Sequence, residues 1–144
     1  MNNRFNSNRG QEPTLPPGYL VGGYFDQKGN MKKEYLVEFA DAVAKGLGIA
    51  YPAMSSSQLR KFYQHTKSAA MKLNYSSFQS VQGDIIKLLP FTAEAKGKQK
   101  VPDIFYRFIK MNLENVRNEK DFLDGFMEHF QAVVAFFTYH YPKK

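Results

Sequence analysis

Leu36, Phe39, Ala40 and Val43 recur at three- and four-residue intervals, the spacing that gathers side chains on one face of an α-helix, and predict a first helix over 31–45 with Gly46 as its C-terminal stop. Leu59, Phe62, Tyr63, Thr66, Ala70 and Leu73 form the inner stripe of a second helix. Ser55 and Gln58 precede that stripe at capping-box spacing. A third helix spans 76–89 with Phe78, Val81, Ile85, Leu88 and Leu89 inward and Gly83 as a weak point. Pro90 is expected to end it, because the residue before a proline is pushed out of helical space. A fourth begins near Pro102, a residue suited to the first helical position, and runs through Ile104, Phe105, Phe108, Ile109 and Val116. Around Asn118 the chain breaks and recaps. The fifth is the clearest: Phe122, Leu123, Phe126, Met127, Phe130, Val133, Val134 and Phe137 repeat at three and four behind an acidic first turn, which makes this helix the central pillar of the core. No segment alternates as a strand would, so the pattern predicts an all-α bundle of about five helices.

The remaining segments read differently. Residues 1–17 carry Asn2, Asn3, Asn6, Asn8, Pro13, Pro16 and Pro17 and too little apolar surface to offset the entropy of ordering, so a flexible tail is expected before one helical domain over 18–144. In the GYLVGGYFD stretch that follows, Tyr24 and Phe25 are the expected anchors, and Asp26 with Gly29 signals a turn. FTAEAKGKQK, residues 91–100, reads as a single turn at most, followed by a loop in which Lys96, Lys98 and Lys100 are mobile.

With 144 residues, 43% of them apolar, the chain has room for one buried core. It has no cysteine, which excludes disulfides, thiolate nucleophiles and cysteine-ligated zinc and makes the cytosol the default compartment. There is no apolar leader region at its start and no apolar run near the roughly 20 residues that a spanning helix needs, so neither secretion nor membrane insertion is expected. The formal charge of +7 is unevenly placed. Between Asp41 and Asp84 stand Lys45, Arg60, Lys61, Lys67 and Lys72 and no carboxylate, whereas Glu34, Glu38 and Asp41 cluster in one segment and Glu119, Asp121, Asp124 and Glu128 in another.

On a helical wheel Arg60, Gln64 and Lys67 share a narrow sector of the second helix, with Lys61, His65, Ser68 and Lys72 beside it and the apolar stripe opposite. Cations without neighbouring acids gain most by displacing counterions from a phosphate backbone, and the loop carrying Lys96, Lys98 and Lys100 could add point-charge contacts. A solvated polar face and an ordinary lysine-rich loop are the plain alternatives. Tyr63, Tyr75, Tyr106, Tyr139 and Tyr141 could stack on unpaired bases, although Tyr63 falls near the inner stripe and reads as core. His65, His129 and His140 stand apart, without the second histidine at i+4 or the paired carboxylates of a metal site, and neither a nucleophile elbow nor a phosphate-binding glycine loop is present. No catalytic residue, metal or cofactor is expected.

Ordered motifs then carry a family resemblance. Gly23, Tyr24, Phe25 and Asp26, with Gly29 and Asn30, resemble the GYFD-x-x-GN opening of the type III-A CRISPR small-subunit family. Ser56, Ser57, Gln58, Leu59, Arg60, Lys61, Phe62 and Tyr63 are similar to its [TS]-SQ-[LI]-R-x-[FL]-[YF] helix start, and Leu88, Leu89 and Pro90 to its LLP element. Glu119 to Phe122 and then Phe130 to Phe136 resemble its closing F-[EQ]-A-[VL]-VA helix. Ala93 to Lys98 is similar to its AY-x-AGR run, with Glu94 in place of an aromatic and Lys98 in place of arginine.

That resemblance implies a non-catalytic subunit of the Csm effector complex, several copies of which stack beside guide-bearing backbone subunits and the large subunit. It implies guide and target RNA as partners, and the polar face and loop described above make Arg60, Lys61, Gln64, Lys67, Lys72, Lys96 and Lys98 the expected contacts to sugar and phosphate, while base pairing supplies specificity. A helical protein-interaction adaptor and a standalone DNA-binding module are the competing readings.

Overall fold

The computed structural model describes residues 12–142, and these form an all-α bundle. Its helices are α1 (Glu38–Ile49), α2 (Ser56–Met71), α3 (Phe78–Ile86), α4 (Leu88–Gly97), α5 (Asp103–Glu114) and α6 (Met127–His140), the last continuing directly from a π-helical turn over Asp121–Phe126. α3 and α4 are two halves of one interrupted rod, so the described residues make five rods, as the apolar periodicity predicts.

Helix α6 is the pillar. Phe122, Phe126, Phe130, Val133 and Phe137 are buried along it, and α1 and α2 both pack on it. Phe130 meets Tyr63 of α2 and Phe108 of α5 edge to face, both at 5.3 Å between ring centroids, and stacks on Phe126 at 5.6 Å.

Several boundaries differ from expectation for identifiable reasons. α1 starts at Glu38 rather than near Met31, because Met31 pairs with Phe25 in an antiparallel bridge and Lys32 N–H donates to the Tyr24 carbonyl at 2.9 Å. Nor does Gly46 stop the helix. A Cβ on Gly46 would lie 2.7 Å from Ile104 Cδ1, and one on Gly48 would lie 2.1 Å from the Tyr141 ring, so both glycines serve close helix packing inside α1. Pro90 does not end the third helix either. It sits in the first turn of α4, where it has no N–H to give the Ile86 carbonyl; the ladder therefore lapses at Lys87 and resumes at once. The 91–100 stretch is consequently mostly helix. α4 closes with Lys100 N–H donating to the Ala95 carbonyl at 2.8 Å and Gln99 N–H to Lys96 at 2.9 Å, with Gln99 in the left-handed region at φ 60°, the pattern of a Schellman motif.

The cap readings are recovered. Ser55 Oγ accepts from Gln58 N–H at 3.2 Å, and Asn118 Oδ1 accepts from Asp121 N–H at 2.8 Å where the chain breaks and recaps.

Of residues 1–17, the first eleven lie outside the described residues. Glu12 accepts from Tyr51 N–H at 3.2 Å, and Leu15 is packed against the core. The aromatic arm beyond them docks on its own chain. Tyr24 donates to Asn112 Oδ1 at 2.6 Å, and its ring fills the space over Gly125, where a Cβ would come within 2.6 Å. Asn112 Nδ2 donates to the Tyr19 hydroxyl at 2.9 Å and to the Phe108 carbonyl at 2.8 Å. His129 Nδ1 lies 2.6 Å from the Tyr35 carbonyl, which only accepts, so Nδ1 carries the proton and Nε2 accepts from the Tyr19 hydroxyl, also at 2.6 Å. Burial pushes the imidazole down to about 4, outweighing the opposing pull of the Tyr35 carbonyl.

Candidate nucleic-acid interface

α4 packs against α2, and a groove of about 450 Å³ lies between them. Leu59, Phe62, Thr66 and Ala69 hold α2 to the core, which directs Lys61, Gln64 and Ser68 outward. From the other side come Phe91 and Glu94, with Lys98 and Lys100 held at the Schellman closure of α4. His65 reaches across the junction: its Nε2 donates to the Asp84 carbonyl at 3.2 Å, and its ring meets Phe91 at 5.5 Å and 85°.

The candidate residues fall into three groups. Lys61, Gln64 and Lys98 line the groove together although Lys98 lies far along the chain from the other two. Arg60 and Lys67 are exposed on the adjoining flank of α2. Lys72 and Lys96 are engaged internally, Lys72 with Asp84 at 2.7 Å and Lys96 with Asp103 at 2.7 Å. These contacts have the electrostatic consequences expected of close ion pairs: hydrogen bonding to Asp84 raises Lys72, and hydrogen bonding from Lys72 and Lys96 lowers Asp84 and Asp103 respectively. Lys98 has a looser partner in Glu94 at 3.1 Å. Among the described residues Arg60, Lys61, Lys67 and Lys100 have no carboxylate within ion-pair distance.

Lys100, read with Lys96 and Lys98 as a possible phosphate contact, lines the groove, and Phe91 joins it although the sequence does not single it out. Phe91, Glu94, Ala95 and Lys98 recur at helical spacing, a signal hidden once Pro90 is read as a terminator. The tyrosines divide. Tyr63 is packed on Phe130 as core, Tyr106 lies under Lys96, Tyr141 packs on Phe137 and donates to the Lys45 carbonyl, and Tyr75 and Tyr139 are exposed away from the groove lining. Among the described residues no group of three or more His, Asp or Glu side chains is placed to hold a metal, and no helix is long and apolar enough to cross a membrane.

Fold and groove together define a small helical scaffold with a cationic groove. The family model for Csm2 Type III-A matches residues 30–143, and the chain belongs to that family, which makes it a small subunit of a type III-A CRISPR effector complex with other Csm subunits as partners. No curated protein and no solved structure is significantly similar to it.

Proposed function

We propose that this subunit steadies the target RNA on the effector through sequence-independent contacts to sugar and phosphate and performs no chemistry of its own. The observation that carries the reading is the convergence of Lys61, Lys98 and Lys100 on one groove, with Arg60 and Lys67 beside it and, among the described residues, no internal counter-charge for four of these five cations. A like-charged helix face gains stability when a polyanion arrives, and ammonium and guanidinium contacts to phosphate position a strand without reading its letters. Lys72 and Lys96 take a lesser part in this reading, since an incoming phosphate must compete with Asp84 and Asp103.

Copies of the subunit stack head to tail, an arrangement that generates open filaments. Glu119, Asp124 and Glu128 are exposed around the start of α6 and have no ion-pair partner among the described residues, which suits them to the basic flank of a neighbouring copy.

The test is the salt dependence of RNA retention. With Arg60→Glu and Lys67→Glu combined, the assembled complex is expected to hold target RNA less tightly, and log K against log salt to flatten by about 0.7 for each phosphate that is no longer neutralised. Unchanged retention and slope would reject the assignment and favour a protein-interaction adaptor. Duplex DNA competing as well as RNA would favour a general DNA-binding module.

A further inference from the structure

We propose that the groove between α2 and α4 is a pocket for one unpaired nucleotide, with Phe91 as the stacking surface for its base and Lys61 and Lys100 as contacts for the flanking phosphates. This rests on the RNA-binding reading of the groove and narrows it from a phosphate cradle to a base site.

A cradle for phosphate alone needs charge and no exposed ring. Here the Phe91 side chain lines a cleft edged with cations and remains 46% exposed. Its backbone N–H donates to the Lys87 carbonyl at 3.2 Å, in the first turn of α4, and its ring is set against His65 edge to face. His65 is itself tied to the Asp84 carbonyl, so the ring sits in a position fixed from two helices. A base stacking on it finds a surface oriented before it arrives, which lowers the ordering cost of binding.

The surrounding chemistry fits a base of any identity. Gln58 and Gln64 each offer an amide donor and a carbonyl acceptor, so the edge of a purine or a pyrimidine can be met without selecting among them. Glu94, the one carboxylate on the groove lining among the described residues, is engaged by Lys98 at 3.1 Å, which leaves Lys61 and Lys100 to face the phosphates. The groove volume of about 450 Å³ lies within the ~300–1,000 Å³ of small-ligand pockets. A paired base hides both of its faces in the duplex stack, so this pocket distinguishes a single strand from a duplex, whereas charge alone does not.

The experiment measures fluorescence anisotropy of the full chain with a short oligouridylate, an abasic ribose-phosphate strand of equal length and charge, and a blunt RNA duplex. The wild-type chain is expected to bind the oligouridylate more tightly than the abasic strand or the duplex. Phe91→Ala should weaken oligouridylate binding about tenfold and leave abasic-strand binding unchanged. Phe91→Leu, which keeps apolar bulk in α4 without a π face, should behave like Phe91→Ala, and Phe91→Tyr should retain binding. Lys61→Glu with Lys100→Glu should weaken both single strands. If Phe91→Leu binds oligouridylate like the wild type while the lysine pair weakens it, the base pocket is overturned and the phosphate cradle stands. If Phe91 matters and the lysine pair does not, the base site stands and the cationic reading falls. Equal wild-type affinity for the oligouridylate and the abasic strand overturns the pocket, and failure to bind any of the three probes overturns both readings.

Discussion

Two junctions where distant segments of this chain meet treat polar groups in opposite ways. Where the arm over 19–35 docks on α5 and α6, Tyr19, Tyr24, Asn112 and His129 are buried and hydrogen-bonded to one another or to backbone, and no buried side-chain polar atom among the described residues lacks a partner. Where α4 meets α2, Lys61 and Lys100 face the groove with no carboxylate among the described residues in ion-pair reach, and Phe91 is half exposed. A closed polar network has no capacity left for a ligand, and its value lies in fixing one packing arrangement, because each member left unpaired would carry the desolvation cost of a buried polar group. The open groove leaves that capacity in its cations, which the proposed reading assigns to RNA phosphate. On that reading the chain separates what holds it together from what it binds.

The strongest way to break that separation is at the residue serving both sides. Phe130 is fully buried and touches Tyr63, on the helix that carries the groove, and Phe108, one turn before Asn112. Phe130→Ala is expected to cost about 3 to 5 kcal/mol, through lost transfer energy and the cavity left behind, as measured by chemical denaturation. A variant as stable as the parent would mean that the two junctions do not share this support.

Acid isolates the arm side. His129 is neutral in the folded chain, with its pKa pushed down to about 4, while an unfolded histidine titrates near 6.5. Between those values the unfolded state binds the extra proton, so the stability this difference supplies is full above pH 6.5 and is lost as the pH falls toward 4. The drop is about 3 kcal/mol. Asp41, Asp84 and Asp103 are all lowered, chiefly by side-chain hydrogen bonds with His140, Lys72 and Lys96, so their contributions are present above the unfolded carboxylate value and disappear at still lower pH. Unfolding free energies of the wild-type chain and His129→Leu, compared from pH 4 to 7, should converge as the pH falls. Parallel curves would show that His129 does not titrate with folding.

These contrasts also mark what the sequence makes legible. Apolar periodicity picks out the rods, the buried stripe of α6 and the Ser55 cap, because helix packing and capping depend on residues within a few positions of one another. The same locality explains the errors. Gly46 reads as a stop, yet its role is set by Ile104, far along the chain, and Met31 is drawn from the first helix by its bridge to Phe25. Lys72 and Lys96 read as free cations because Asp84 and Asp103 reach them only through the tertiary fold. Conversely Lys61, Gln64 and Lys98 are legible as polar candidates, and their sharing one groove is not, since it depends on α4 packing against α2 in the tertiary fold.

The smallest expected effect tests how the groove keeps its shape. Lys98 and Lys100 are placed by the closure of α4, in which Gln99 occupies the left-handed region at φ 60°, a conformation that costs a residue with a Cβ more than it costs glycine. Gln99→Gly removes that strain but leaves the unfolded chain freer, and the two terms partly cancel. The balance is expected to be a gain of up to about 1 kcal/mol in unfolding free energy, with the Lys100 to Ala95 bond retained and RNA affinity unchanged. A gain in stability accompanied by weaker RNA binding would instead show that the strain at Gln99 holds the lysines in their binding arrangement, and the groove would then share in the folding energetics from which the comparison separates it.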